Sequence, residues 1–264
     1  MGNFFASRYQ KEGPGVSKDA PQKKRFFVFF DVYTRKFGKI ILVGLLYLLC
    51  CIPVVTFGPA TCGLALVLRN FAREEHAFVW HDFFVGFKMN WKQGLTLGII
   101  NLLAFFMVGF ALWYYYDQMA ANSFFVVLFA ICLLCLLLVL FMTFYIYTLT
   151  VTFDLPIKKL LKNSAIFALL GIRANLITTL CCLFLIVLAV LLFITFPALT
   201  ILIPIFILPT MFFIIAFNTY PQIKKFLIDP YMTEHPQNEN DTQETVFSDE
   251  LLIESAPKQK EVKE

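Results

Sequence analysis

Every lysine and arginine in this chain, all 22 of them, keeps to alternate connections between apolar runs. The runs fall at about 38–55, 59–71, 95–116, 124–150, 174–196 and 198–217. The residues from Arg8 to Lys39 lead into the first run, and Arg69, Arg73, Lys88 and Lys92 fall at or after the end of the second. Lys158, Lys159, Lys162 and Arg173 separate the fourth and fifth, and Lys224, Lys225, Lys258, Lys260 and Lys263 follow the sixth. The three opposite connections carry one charged residue, Asp117. A fold surrounded by water has no reason to sort charge in this way. A membrane does, because basic loops are retained on its cytoplasmic side.

Run length agrees. A helix needs about 20 apolar residues to cross about 30 Å of hydrocarbon, and four of the six runs reach that length. The first is slightly short and the second, 59–71, does not reach alone. Two arrangements are open for residues 51–71: a short crossing helix extended by its polar end, or a segment that re-enters the membrane. A five-span arrangement would place part of the basic charge outside. Six crossings, with both termini cytoplasmic, keep all of it inside. The chain is 59% hydrophobic and 15% charged, whereas a soluble domain has about 45–50% and about 25%. The expected fold class is therefore all-α: a polytopic membrane bundle of about six helices in three hairpins, with amphipathic interfacial helices and a cell-membrane location.

Three regions follow from this. Residues 1–22 read as a disordered basic leader, 23–228 as the transmembrane domain, and 229–264 as a disordered acidic tail. The tail holds ten Asp or Glu against three Lys, a balance that keeps a segment solvated. In 23–39, Phe26, Phe30, Tyr33 and Phe37 form one helical stripe, with Lys23, Lys24, Arg25, Arg35 and Lys36 as the cationic side. That pattern suits a helix lying on an anionic inner leaflet or a collar packed on the bundle. Trp113 to Tyr116 at the outer end of the third run, and Tyr145 and Tyr147 towards the inner end of the fourth, read as interface aromatics.

Ionisable groups inside a bilayer are costly and mark function. Here no Asp, Glu, Lys or His stands at the centre of a run. Asn101, Thr143, Thr148, Thr178, Thr179 and Asn218 offer uncharged hydrogen bonds between helices. Gly94 and Gly98 form a G-x-x-x-G pair, and Pro204 and Pro209 are expected to kink the last run. The seven cysteines sit in apolar surroundings and read as small buried residues. Cys51 and Cys62 flank a turn that a bridge could close. His76, His81 and Asp82 lack a metal-ligand spacing. No catalytic motif, cofactor motif or nucleic-acid signature occurs, so no enzyme, cofactor or metal is expected.

Within the run that breaks itself, "CIPVVTFGPATCGL", the first span is expected to end near Pro53. Thr56 or Gly58 would then cap, and Pro59 would open the second helix at its first position. Pro53, Thr56, Gly58, Pro59 and Ala60, together with Asp82, Phe83, Phe87, Lys88, Asn90, Lys92 and Gln93 in "DFFVGFKMNWKQGL", resemble the signature blocks of the YesL-like family of bacterial integral membrane proteins. Gly44 departs from that pattern, where relatives often carry Asn. The resemblance implies a Gram-positive cell-membrane protein of unknown molecular activity, associated with carbohydrate ABC-transporter components. It brings no catalytic residues. The expectation is a non-enzymatic accessory or regulatory component of carbohydrate uptake, and the alternative is a small-solute permease or channel using the proline-broken helices.

Overall fold

The structure, a computed structural model, describes residues 24–120, 122–200 and 202–234. The expected leader, and most of the expected acidic tail, lie outside them. Among the described residues the regular structure is all helical. The helices are α1 (Arg25–Cys50), α2 (Phe57–Ala72), α3 (Val79–Met89), α4 (Trp91–Gln118), α5 (Phe124–Thr150), α6 (Ile157–Leu170), α7 (Ile172–Thr195), α8 (Leu202–Ile223) and α9 (Asp229–Glu234). The chain divides into two units, 1–37 and 38–264, with the boundary inside α1. Helix persists through Asp229 and Pro230, where the acidic tail was expected to begin.

Among the described residues, five segments are long and apolar enough to cross a membrane: Val54–Ala72, Trp91–Gln118, Phe124–Thr150, Ile172–Thr195 and Leu202–Tyr231. The expected first span, 38–55, differs from this in two ways. Its helix ends at Cys50, so the last part of the run belongs to the turn and to a 3-10 segment, Val54–Thr56. The helix also begins at Arg25, so the interfacial stretch and the first span are one element rather than two. From Ile40 to Cys50 the apolar part of α1 rises about 16 Å, roughly half the hydrocarbon thickness. The second run gains what the first loses. With the 3-10 turn it becomes a 19-residue segment.

That second segment is the centre of the bundle. Helix α2 packs against α3, α4, α5 and α8, and its residues from Gly58 to Leu64 are buried without interruption. The longer helices are the peripheral ones. On α4, Leu102, Phe106, Met107, Phe110 and Trp113 are exposed, and on α7 Leu180, Phe184, Leu191 and Ile194 are exposed. Contiguous apolar faces of this size are stable only in lipid. Helix α5 changes along its length: its first half is largely exposed, whereas Phe144 to Thr150 are buried together.

Backbone features mark where the chain turns. Helix α2 closes with Glu74 at φ 62°, a left-handed position usually given to glycine. The Glu74 N–H donates to the Phe71 carbonyl and the Glu75 N–H to the Asn70 carbonyl, both at 3.0 Å. This satisfies carbonyls that the helix end leaves free. In α8 the interior prolines are Pro209 and Pro221. Pro204, expected to kink this helix, lies in its first turn, where no helical N–H bond is lost. After Pro221 the helix widens into a π segment, Lys224–Ile228.

Helices α2, α3 and α4 run span, short helix, span, and α5, α6 and α7 do the same, each short helix being joined to the next span by one residue, Asn90 or Gly171.

Candidate functional site

The two signature blocks meet on α2. A Cβ on Gly58 would overlap the carbonyl oxygen of Gly94, and one on Gly98 would lie 2.9 Å from Gly58 Cα. Gly94 in turn faces Pro59 Cα and Cys62 Sγ, each 3.0 Å from an added Cβ. On the next face of α2, a Cβ on Gly63 would come within 2.5 Å of the Phe83 carbonyl oxygen, and one on Gly86 within 3.0 Å of Gly63 Cα. Backbones approach this closely only where side chains are absent. The G-x-x-x-G pair read from sequence is therefore half of a contact whose other half is the Gly58-Pro59 turn.

Around this crossing the remaining signature residues have structural partners. The Thr56 hydroxyl donates to the carbonyl of Cys50, and to that of Pro53 at 2.6 Å. It therefore ties the end of α1 into the turn and makes no side-chain cap on α2. Pro59 occupies the third position of α2, not the first, because the helix begins at Phe57. This costs no hydrogen bond, since the first four N–H groups of a helix are free. Ala60 is fully buried and Pro53 is exposed.

In the second block, Asp82 accepts the Phe78 N–H at 3.1 Å, returning a carboxylate to the start of α3. Its other oxygen lies 3.1 Å from His81 Nδ1. Phe83 is fully buried against α2, and Phe87 packs on Trp91 at 5.1 Å between ring centroids. Asn90 returns its amide to the Gly86 carbonyl at 3.2 Å instead of capping α4. Gln93 reaches the Leu155 carbonyl at 3.4 Å. Lys88 and Lys92 are exposed. The Phe83 face of α3 lies on the bundle.

Polar contacts that the sequence had not singled out gather at the ends of α2 and α5. Arg69, buried at the end of α2, donates to the Val151 carbonyl at 2.8 Å and to Thr152 Oγ1 at 3.2 Å. A cation here also complements the C-terminal end of α5. Tyr145 donates to Asn175 Oδ1 at 2.7 Å, Asn175 donates to the Ala168 carbonyl at 3.0 Å, and the Tyr145 ring stacks on Phe167 at 5.5 Å. Tyr145 and Tyr147 are both buried. They are core residues and not the interface aromatics expected from their place in the run. Two expected interhelical bonds are present: Thr143 donates to Asn101 Oδ1, and Asn218 donates to Thr178 Oγ1, each at 2.9 Å. Cys51 and Cys62 are free, as are the other described cysteines.

A cavity of about 340 Å³ lies between α2, α5, α7 and α8. Its walls include Thr61, Phe144, Tyr147, Thr179, Ile186 and Phe212, and none of its lining residues is Asp, Glu, Lys, Arg or His. Gly44 is not a lining residue. An added Cβ there would lie 2.6 Å from Pro209 Cγ, so a larger side chain at this position would meet α8.

Residues 40–112 match the family model described as a protein of unknown function, DUF624. This is the membrane family of the YesL-like proteins, so the resemblance read from the two signature blocks holds over this stretch. The matched residues run from within α1 into α4 and contain the whole glycine crossing. No match was found among curated proteins or solved structures. The chain is a helical membrane protein in which residues 40–112 resemble that family.

Proposed function

Given that match, we propose that the chain is a non-enzymatic accessory protein of the cell membrane, working beside a carbohydrate ABC-type uptake system. Both termini face the cytoplasm. One observation carries the reading: the centre of the bundle is backbone packed on backbone at Gly58, Gly94 and Gly98, and the cavity beside it has no Asp, Glu, Lys, Arg or His in its lining. A proton-coupled transporter would need such a group near the midplane. An assembly role asks instead for a rigid core and accessible recognition surfaces. The exposed Lys88, Lys92, Lys158, Lys159 and Lys162, on or beside α3 and α6, supply cationic groups for anionic lipid or for a partner.

Co-purification of the full chain from membranes in mild detergent tests this reading, together with sugar uptake in a deletion strain. Recovery of transporter subunits and altered uptake are the expected results. An empty pull-down with unchanged uptake would overturn it.

A second reading, a small-solute permease, draws on one feature. The cavity abuts the stretch of α8 just after Pro209, a kinked helix of the kind that lines transport sites. Flux of sugars or ions into liposomes holding the pure protein would favour it, and silence across both would remove it.

A further inference from the structure

We propose that the acidic segment 239–254 of this same chain docks on a lysine face built from the end of α3, the start of α4 and the start of α6. The proposal does not rest on the uptake reading. The face is assembled from two distant stretches. Gln93 of α4 donates to the Leu155 carbonyl at 3.4 Å, which brings the start of α4 to the connection that leads into α6. Lys92 directly precedes Gln93, and Lys158 and Lys159 follow shortly after Leu155. Lys88 closes α3, and Lys162 lies one turn beyond Lys158 on α6.

These five cations are uncommitted. All are exposed, and none makes an ion pair among the described residues. Asp154, in the α5–α6 connection, offsets one charge of the five. Cations at the ends of α2 and α8 are engaged instead. Arg69 donates to the Val151 carbonyl, Arg73 pairs with Glu75 at 2.6 Å, and Lys225 lies over the Phe226 ring.

The chain comes out of the bundle beside this face. Ile223 and Ile228, at the end of α8 and of the π segment, belong to the same apolar cluster as Leu160 of α6. Leu155, Ile157, Leu161 and Leu227 pack against that cluster. Helix α9 ends at Glu234, and the five steps from there to Glu239 reach at most about 18 Å. The first carboxylate of the segment is therefore rooted close to α6.

Composition supplies the complement. From Glu239 to Glu254 there are six Asp or Glu and no Lys or Arg, with Val246, Phe247, Leu251, Leu252 and Ile253 among them. The face has the same mixture with the opposite sign, since Met89 and Trp91 are exposed between Lys88 and Lys92. One exposed ion pair contributes little. A short tether changes that, because it holds the segment at millimolar effective concentration and lets several weak pairs form together. Anionic lipid would draw on every exposed lysine of that side alike, whereas the segment is rooted beside these five. Docked, it covers the cations that a lipid or protein partner would use, so that access to them depends on its release.

The test uses the full chain in nanodiscs of phosphatidylcholine and phosphatidylglycerol, treated with a water-soluble carbodiimide and mapped by mass spectrometry. Amide links are expected from carboxylates of 239–254 to Lys88, Lys92, Lys158, Lys159 or Lys162, and high salt should suppress them. Acetylation by an amine-reactive ester then reads the lysines one by one. The comparison is a variant carrying Glu239→Gln, Asp241→Asn, Glu244→Gln, Asp249→Asn, Glu250→Gln and Glu254→Gln, all beyond α9. The five lysines should react roughly threefold more slowly in the parent, as for a tethered segment whose dissociation constant is half its effective concentration. Lys39 of α1 should react equally in both.

Equal protection of the five lysines in both forms, with no links from 239–254, would assign the face to anionic lipid and overturn the proposal. Full reactivity in both would leave the face uncovered and overturn it too. Links found only between chains in an isotope-mixed sample would assign the segment to a second copy, with the same consequence.

Discussion

Gly58 and Gly94 bring α2 and α4 together backbone to backbone, so that a single added methyl on Gly58 would occupy the place of the Gly94 carbonyl oxygen. The obstacle is backbone, which cannot rotate aside as a side chain can. Gly58→Ala is therefore expected to cost about 1–3 kcal/mol or more through overpacking. Gly109 offers the internal control, since nothing lies within 4 Å of an added Cβ there. Gly109→Ala should be neutral or slightly stabilising, because alanine is the better helix former. Thermal denaturation of both variants in the same detergent checks this, and equal melting temperatures would refute the crossing.

The Tyr145–Asn175 bond links α5 to α7 in a buried setting, with Asn175 also held by Ala168. Tyr145→Phe leaves the Asn175 oxygen without its donor and should cost about 1–3 kcal/mol. Asn175→Ala removes the orphaned group too. The double variant should therefore lose less than the sum of the singles, and a double-mutant cycle reads the coupling directly. Strict additivity would mean that the bond contributes nothing.

Arg69 joins the ends of α2 and α5 through the Val151 carbonyl and Thr152. Replacing it by Met should destabilise by about 2 kcal/mol or more, since bonds from charged donors are the stronger ones. Arg69→Lys should recover only part of this, because an ammonium cannot reproduce the fork that also meets Asn70 Oδ1. Full rescue by Lys would show that charge alone matters at this position.

Sidedness can be read with single cysteines placed in a cysteine-free background and an impermeant thiol reagent applied to intact cells. Positions 88 and 159 are expected to be protected, and positions 122 and 197 to react. Reaction at 88 or 159 would invert or break the six-crossing arrangement. A cysteine at position 35, on the N-terminal side of the apolar half of α1, decides α1. If it is protected, the short apolar half of α1 crosses despite its length; if it reacts from outside, the crossings are five.

Much of the architecture was legible along the chain. Long apolar runs become helices because every backbone polar group in lipid has to be satisfied within its own segment; α4 and α5 cover the runs read for them, α7 ends one residue short of its run, and α8 begins four residues into its run, after a 3-10 turn at Pro197–Leu199. Asn101 with Thr143 and Asn218 with Thr178 were identifiable as polar residues that need partners in an apolar setting. Helix α6 was not identified, although a signal existed. Leu160, Ser164, Phe167 and Ala168 recur at helical spacing and form its buried face, but Lys158, Lys159 and Lys162 made the stretch read as a loop. The signature residues were found by pattern, whereas their roles were not: Thr56 binds the end of α1, Asp82 and Asn90 serve α3, and none meets a substrate group.

By itself, the sequence determined that this chain is a bundle of membrane helices, where most of them begin and end, and how its basic residues are ordered. Those properties are local, arising from hydropathy, helical period and charge within a few turns. Only the tertiary structure decided that the shortest and most broken of the apolar runs is the hub of the bundle. The tertiary structure also buried two tyrosines of one helix, Tyr145 and Tyr147, and bonded Tyr145 to Asn175 of another. The physical reason is that close packing joins groups far apart in the chain. A glycine in α2 takes its meaning from a carbonyl in α4, and a hydroxyl on α5 from what stands opposite on α7.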